Sequence, residues 1–413
     1  MKIKPFIAIR PPVDKAAIVA SPPYDVVDKE EARTIANDNP HCFLRIVRPE
    51  LELPDNLSPY DDSVYARALE NYKRFRQEGA LQPADSEAIY VYRLQQADHS
   101  QLGVVTVSHI DDYDAGRIKR HEKTRKPTED DRTRHVDTLN ANAGPVFLTY
   151  RDDPTIDQLV ESAQQTSPLY DFEAADGVRH TVWEVLDTAA WVEAFAAVPA
   201  AYVADGHHRA ASAARVARMR RDADPNSTGD EEYNWFLTVL FPAQQLHILP
   251  YNRCVHDLNG HDREAFLAAV QQRFSLFPAD EKVPLSPGSV RMYLDGQWYS
   301  LQWDAAPLPN DPVARLDVSV LQDNLLAPVL GIDDPRNNPR IEFVGGIRGT
   351  QELERRVDSG RAAVAFSMYP VTVDQLMAVA DAGLIMPPKS TWFEPKLKSG
   401  LLVHELHNDR SPE

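Results

Sequence analysis

Residues 203–215 read VADGHHRAASAAR, where a short apolar run ends at an Asp-Gly pair and continues into an alanine-rich segment. The preceding residues complete a run AYVADG at 201–206, which predicts a buried strand, and the alanine-rich segment predicts a helix over 207–221. The alanines favour close packing of this helix on a sheet. A strand that passes directly into such a helix is typical of folds in which helices cover sheets. This stretch therefore predicts a mixed α and β architecture.

The start of the predicted helix is also a candidate anion site. The first backbone N–H groups of a helix have no partner within it, and the positive end of the helix dipole lies behind them. Gly206 leaves room for a ligand to approach. His207, His208 and Arg209 add side-chain donors, and the planar fork of arginine suits phosphate oxygens. Asp205 is equally a candidate for a helix N-cap, and the histidines for hydrogen bonds to a covering loop.

A shared zinc ion is not expected at this pair of histidines, because neighbouring residues of a helix point to different sides of it. The choice between a capped helix start and a phosphate cradle stays open at this point.

The composition of the chain narrows its function classes. The 413 residues carry a formal net charge of −18, so we expect the surface to repel nucleic acid. No apolar run reaches the roughly 18 residues that a membrane span needs, and no signal-peptide pattern is present. The two cysteines, Cys42 and Cys254, are too few for a disulfide framework. We therefore expect a cytoplasmic protein that binds neither membrane nor nucleic acid; the sequence leaves open a homodimer.

Helical and strand patterns alternate along the whole chain, and we place a domain boundary near residue 250. The predicted domains are 1–250, which binds nucleotide or phosphate, and 251–413, a mixed α and β domain that contributes a lysine-bearing loop. The patterns predict helices over 63–78, 155–165, 262–273 and 316–327, and strands or hairpins over 89–96, 101–110, 145–150, 169–186, 234–242 and 289–303.

A basic island lies at residues 117–135, RIKRHEKTRKPTEDDRTRH, within this acidic chain. One interpretation is that it draws a nucleotide or phosphorylated substrate into a cleft, with Arg120 and Lys123 beside Glu122. Glu122 is then the carboxylate that takes a proton or holds a metal. The other interpretation is a solvated loop that leads into a helix capped at Thr128.

A third candidate is the proline-framed loop MPPKSTWFEPKLKSGL near the C-terminus. Prolines stiffen such a loop, and lysines with hydroxyl side chains suit an anionic ligand. A surface loop anchored by Trp392 and Phe393 has the same composition, so both interpretations stand. The candidate ligand residues of this loop are Lys389, Ser390, Thr391 and Lys396.

These segments together resemble one bacterial family. The chain is similar to the family called domain of unknown function 1015 in IAIRPP, SPPYDVV, RHEKT, KPTEDDRTRHVD, ADGHHRAASA and MPPKSTWFEPKLKSGL, which occur in the family's order over nearly the whole chain. The resemblance implies a ParB/sulfiredoxin-like core, since the Asp-Gly-His-His-Arg segment matches the phosphate box of that superfamily. The superfamily includes kinases that phosphorylate free L-serine with ADP or ATP.

The resemblance implies roles for the site residues. Asp205, with His207, His208 and Arg209, would form the pocket for nucleotide phosphates and Mg²⁺, with Asp205 positioning the metal. Glu122 would activate the substrate hydroxyl. The leading hypothesis is therefore a phosphotransferase that moves a phosphoryl group from ATP or ADP to a small hydroxylated metabolite, with free L-serine the first candidate.

Two other functions remain as alternatives. One is a regulator that binds CTP or ATP in the same pocket without turnover and signals to a protein partner. The other is a DNA-associated ParB-like protein or nuclease. The acidic composition and the lack of a helix-turn-helix segment after the phosphate box argue against a role in chromosome partition.

Overall fold

The computed structural model describes residues 1–303 and 310–407 and divides the chain into two compact units. Unit 1 comprises Met1–Leu246 and Pro395–Glu413, and unit 2 comprises His247–Glu394. The sequence placed everything after residue 250 in one second domain. The structure instead places the segment from Pro395 onward in unit 1, because a late strand pairs there with two early strands.

Unit 1 contains thirteen strands within the described residues. In chain order these are β1 (Ile3–Lys4), β2 (Ala8–Arg10), β3 (Gln82–Pro83), β4 (Ile89–Gln96), β5 (His99–His109), β6 (Ile118–Lys119), β7 (Ala141–Asn142), β8 (Val146–Tyr150), β9 (Tyr170–Glu173), β10 (Arg179–Val185), β11 (Ala201–Asp205) and β12 (Trp235–Pro242), followed at the end of the chain by β21 (Val403–Glu405).

Nine of these strands form the main sheet of unit 1. Its order is β6-β11-β8-β12-β5-β4-β10-β9, and β1 pairs additionally with β5. The sheet is mixed, since β11 is antiparallel to β8 and parallel to β6, while β8 is parallel to β12. The predicted hairpins at β4-β5 and β9-β10 are confirmed, and so is the expectation that β12 joins the sheet of β11.

A smaller sheet of unit 1 joins the two ends of the chain. Its order is β3-β2-β21-β7. Ala8 pairs with His404 and, on the other side of β21, His404 pairs with Asn142. These pairings are long-range in sequence, so no local pattern around residue 395 could indicate that the chain returns to unit 1.

The helices of unit 1 are α1 (Ala16–Val19), α2 (Lys29–Ala36), α3 (Leu44–Val47), α4 (Asp62–Gln77), α5 (Ile110–Asp114), α6 (Lys126–Leu139), α7 (Pro154–Ala163), α8 (Ala189–Ala197) and α9 (His207–Ala223). Helix α9 lies on the main sheet as predicted. Its alanines, among them Ala210, Ala213 and Ala217, belong to the same buried core as Val203 of β11 and Leu148 of β8. Small side chains let the helix backbone come close to the strands, which positions the start of α9 at the end of β11.

Unit 2 has its own sheets and core. Its strands are β13 (His247–Leu249), β14 (Tyr251–Val255), β15 (Ser275–Pro278), β16 (Ser289–Leu294), β17 (Gln297–Gln302), β18 (Ile341–Gly345), β19 (Val364–Ser367) and β20 (Trp392–Glu394), and its helices are α10 (Arg263–Gln271), α11 (Asp317–Leu321), α12 (Gly349–Asp358) and α13 (Val373–Asp381). A six-stranded antiparallel sheet has the order β15-β17-β16-β19-β14-β18, and β13 pairs with β20.

Two features of unit 2 compare directly with the sequence patterns. The tight turn predicted at Asp295-Gly296 is confirmed, since both residues have positive φ, 48° and 76°. The helix predicted over 316–327 is shorter than expected, because α11 passes after Leu321 into a π-helical turn at Gln322–Leu326. The mixed α and β fold class is confirmed in both units.

Candidate functional site

Gly206 joins β11 to α9 and sets the geometry of the candidate site. Its φ of 90° lies in the left-handed region that favours glycine, and it occupies the N-cap position of α9. A Cβ here would meet only ordinary contacts, the nearest at 3.5 Å. The glycine is therefore required by the backbone turn, whereas the sequence had explained it by room for a ligand.

Asp205 does not cap the helix. A register shift in β11 between Val203 and Asp205 re-aims the end of the strand. One carboxylate oxygen of Asp205 accepts from the backbone N–H of Gly206 at 2.7 Å, and no side chain caps α9. The alternative in which Asp205 is the N-cap is therefore wrong.

Lys396 is the partner of Asp205. Its Nζ lies 2.9 Å from Oδ2 of Asp205, and the two side chains are only 18% and 29% exposed. Burial by itself would raise the pKa of Asp205, but the charges of Lys396 and Arg209 outweigh it and hold that pKa below its ordinary value. Asp205 is thus ionised throughout the physiological range. Lys396 belongs to unit 1, not to the second domain from which the sequence had drawn it.

Arg209 lies in the first turn of α9 and is paired with a carboxylate of the N-terminal segment. Its Nη2 donates to Oδ1 of Asp25 at 3.0 Å, and its Nη1 donates to the carbonyl of Pro145 at 3.0 Å. The guanidinium also lies 5.4 Å from the ring centre of Tyr24. The guanidinium of Arg132 lies 4.4 Å from the same ring centre. The phosphate-binding fork predicted for Arg209 is therefore occupied by one carboxylate oxygen and one backbone carbonyl.

His207 and Glu122 come together at the same helix start. Nδ1 of His207 lies 3.7 Å from Oε2 of Glu122, and the ring of His121 packs edge-on against His207 at 4.5 Å. His207 is 5% exposed, and burial lowers its pKa to about 3, so the ring is neutral. Within the part of the chain that the structure describes, Nε2 of His207 has no hydrogen-bond partner.

His208 faces the loop before α6. Its Nε2 accepts from the backbone N–H of Arg125 at 3.0 Å, so this ring nitrogen carries no proton. Burial, followed by the charge of Arg125, lowers the pKa of His208. The two histidines thus point to different partners.

The basic island is largely neutralised by acidic side chains. Ion pairs join Arg117 to Asp112, Lys126 to Asp130, Arg132 to Asp131 and Arg134 to Asp62. Arg120 lies over the ring of Tyr113 at 5.0 Å. Over residues 1–303 and 310–407, Lys123 and Arg125 form no ion pair. The positive field that remains is therefore confined to the few residues next to Glu122.

The helix that was predicted to be capped at Thr128 begins earlier, within the basic island. Helix α6 starts at Lys126 with Pro127 in its first turn, and its N-cap is Arg125, so Thr128 does not cap it. Because α6 begins here, the backbone N–H of Arg125 lies within hydrogen-bond distance of Nε2 of His208. The basic island and the Asp-Gly-His-His-Arg segment, separate in sequence, are therefore adjacent in unit 1.

The predicted loop near the C-terminus is divided between the units. Lys389, Ser390 and Thr391 lie in unit 2, and Lys396 lies in unit 1. Ser390 Oγ donates to the carbonyl of Pro387 at 2.7 Å, so this hydroxyl holds the loop itself. Of these four residues, Lys396 is the one that the structure brings to Asp205.

The donor set does not fit a Mg²⁺ ion held by the protein. Among the described residues, no group of three or more histidine, cysteine or acidic side chains is arranged to hold a metal. The carboxylate of Asp205 is already bonded to Lys396 and Gly206. Magnesium sites with one protein carboxylate depend on substrate phosphates for their other ligands.

Sequence reasoning missed three residues of this site: Tyr24, Asp25 and His121. Tyr24 and Asp25 belong to the SPPYD segment, which was noted for its resemblance and given no role. A tyrosine and a carboxylate in a loop are too common to stand out, and their relation to Arg209 spans 184 residues. A cavity of about 40 Å³, lined by Tyr24, Gly144, Arg209 and Ser399 among others, is too small for the body of a nucleotide.

A family model described as "Protein of unknown function (DUF1015)" matches residues 3–319 of the chain. A comparison with curated proteins finds no match. Within the described residues, no helix is long and apolar enough to cross a membrane.

Three of the solved structures that the chain matches are the following. A conserved hypothetical protein from Pyrococcus furiosus is 11% identical, with 72% of this chain and 95% of that chain covered and a TM-score of 0.35. A free serine kinase variant in complex with ADP is 11% identical, with coverage of 72% and 92% and a TM-score of 0.36. SbnI with a C-terminal truncation, from Staphylococcus aureus, is 12% identical, with coverage of 72% and 86% and a TM-score of 0.39. At these values the likeness carries no functional argument.

Proposed function

The chain belongs to the DUF1015 family, and on that premise we propose that it is a phosphotransferase whose nucleotide phosphates bind at the start of α9 in unit 1. The donor is ATP or ADP, and the acceptor is a small hydroxylated metabolite, with free L-serine the first candidate. The resemblance of ADGHHRAASA to the phosphate box of ParB-like proteins supports the same interpretation, and we propose a ParB/sulfiredoxin-like core for unit 1 on that ground.

The proposal rests on one observation: two cations, each bonded to a carboxylate, lie at the start of α9. Lys396 and Arg209 both lie beside the first turn of α9, and each is bonded to a carboxylate at about 3 Å. A di- or triphosphate carries more negative charge than either carboxylate and matches arginine's fork. The nucleotide phosphate therefore replaces Asp25 on Arg209, while the N–H groups of the helix start donate to its oxygens.

Glu122 is the proposed base. Its side chain is 37% exposed, so a substrate hydroxyl can reach it, while Nδ1 of the neutral His207 lies 3.7 Å from its Oε2. In the step proposed, the acceptor oxygen bonds to the terminal phosphorus as the bond from that phosphorus to the bridging oxygen breaks. The hydroxyl proton passes to Glu122, and ADP or AMP leaves with the bridging oxygen.

Product formation tests this function directly. The full chain is incubated with ATP, ADP or CTP, with Mg²⁺ and with or without L-serine, and phosphoserine is measured. We expect phosphoserine with ATP or ADP, and a loss of at least about a hundredfold in Glu122→Gln, the scale of general-base catalysis. The matched control is Glu161→Gln, an exposed carboxylate on α7.

Each other result contradicts a defined part of the proposal. If Glu122→Gln keeps its rate, Glu122 is not the base. If nucleotide binds tightly and no acceptor is phosphorylated, the protein is the nucleotide-binding regulator instead. Salt-dependent retention of DNA in the same preparation would support a DNA-associated protein.

A further inference from the structure

Unit 2 buries an arginine that lacks an opposite charge. Arg253 on β14 is 3% exposed, and within the two described stretches of the chain it forms no ion pair. Its Nη1 donates to the carbonyl of Tyr251 and its Nη2 to that of Lys389, at 3.3 Å for the latter. Burial lowers the pKa of Arg253 to about 10, which still leaves it charged at neutral pH. The guanidinium also lies 5.5 Å from the ring centre of Phe343. A buried charge that is balanced by carbonyl dipoles and a ring, without a carboxylate, is costly to the fold.

Lys389 places a second cation next to this arginine. Its backbone φ of 54° lies in the left-handed region, which is uncommon for a residue with a side chain. The bond from Arg253 to its carbonyl and the bond from Ser390 to Pro387 hold the loop in this conformation. The side chain of Lys389 is exposed at the surface, and no ion pair joins it to any residue that the structure describes.

Tyr251 connects the two cations. Nζ of Lys389 lies 5.2 Å from the ring centre of Tyr251, whose carbonyl accepts from Arg253. The ring of Trp392 packs edge-on against Tyr251 at 5.3 Å. The exposed Lys389 ammonium thus lies over the ring of Tyr251, and the carbonyls of these same two residues hold the buried Arg253 guanidinium.

We propose that Arg253 and Lys389 form an anion site on unit 2 that takes the phosphate group of a small phosphorylated ligand. A phosphate dianion balances the two cations, whereas one carboxylate balances one of them. A guanidinium has five N–H groups, and the two carbonyl bonds leave others for the ligand. The site lies wholly within unit 2, so it does not depend on phosphoryl transfer at α9.

Calorimetry on an Arg209→Gln background tests this site, because that variant weakens phosphate binding at α9. Inorganic phosphate is titrated into the full-length variant. Acetate is titrated at equal ionic strength as the carboxylate control. We expect phosphate to bind in preference to acetate. Adding Lys389→Ala should weaken phosphate binding at least about tenfold, whereas adding Arg336→Ala, an exposed arginine of the same unit, should leave it unchanged.

Arg253→Met provides a second variant, and its circular dichroism and thermal midpoint show whether it folds. Loss of phosphate binding in a folded Arg253→Met protein supports the proposal. Equal binding by the Lys389→Ala and Arg336→Ala proteins would overturn it, as would the absence of phosphate binding. Tighter binding of acetate than of phosphate would show that the anion is a carboxylate and would overturn the assignment to phosphate.

Discussion

Lys396 and Asp205 are 191 residues apart in the sequence, and their side chains form an ion pair of 2.9 Å at the end of β11. This pair ties the returning C-terminal segment to the start of α9. It also gives the site a second cation beside Arg209, from a segment far from Asp205 in sequence. On the proposed function, we therefore expect one substitution at this position to change both stability and nucleotide binding.

We expect Lys396→Met to lower both stability and nucleotide affinity. Breaking a buried ion pair leaves an uncompensated carboxylate, and for these partly exposed side chains the cost is about 1–3 kcal/mol. Urea unfolding measures the free energy of unfolding, and calorimetry with ADP measures affinity. Lys73→Met removes an exposed lysine of α4 and should change neither quantity. Unchanged ADP affinity in Lys396→Met would exclude Lys396 from the phosphate site.

Asp25→Asn should increase the affinity for ADP. Asp25 competes with the nucleotide for Arg209, and an ion pair of this exposure is worth about 1 kcal/mol, or roughly a fivefold change in affinity. The control is Asp14→Asn, which changes an exposed aspartate of the same N-terminal region. Weaker ADP binding in Asp25→Asn would show that the carboxylate supports the ligand rather than competing with it.

Gly206→Ala should destabilise the protein by about 1–2 kcal/mol, because its backbone lies in the left-handed region. Gly177→Ala serves as a matched control, since Gly177 also has a positive φ, 76°, and open space around it in the β9-β10 turn. Both variants should lose comparable stability in thermal unfolding, but only Gly206→Ala should lose nucleotide affinity. Equal affinity in the two variants would mean that the start of α9 does not contact the ligand.

Stability should fall as the pH is lowered from about 6.5 towards 3. Burial lowers the pKa of His207 and His121 to about 3 in the folded chain, while the ordinary value is 6.5. In this window the unfolded chain binds more protons than the folded chain, so stability rises with pH and is lost on acidification. Each such histidine contributes a slope of up to about 1.4 kcal/mol per pH unit.

The pH dependence is checked by urea unfolding at several pH values. His207→Asn should show a smaller slope between pH 3 and 6.5 than the parent protein. His261→Asn, which changes a partly exposed histidine of unit 2, should keep the parent slope. The same slope in the parent and His207→Asn proteins would contradict a neutral, buried His207.

Local patterns were sufficient for most of the elements. The apolar stripe of α4 and the β-branched runs of β4 and β5 predicted their type and approximate bounds, because periodicity reports which side of an element is buried. The apolar run AYVADG, followed by the alanine-rich segment, likewise predicted β11 and α9. The boundaries were weaker: α6 begins at Lys126 rather than near Thr128, since Pro127 suits the first turn of a helix.

The sequence by itself determined the mixed α and β fold and the strand-to-helix turn at Gly206, because both follow from interactions between residues close in the chain. Only the tertiary structure decided which distant side chains complete the site. Asp25 pairs with Arg209 and Lys396 with Asp205 because strands β2 and β21 bring both ends of the chain into one sheet. Such pairings depend on long-range strand order, on which the spacing of residues along the sequence carries no information.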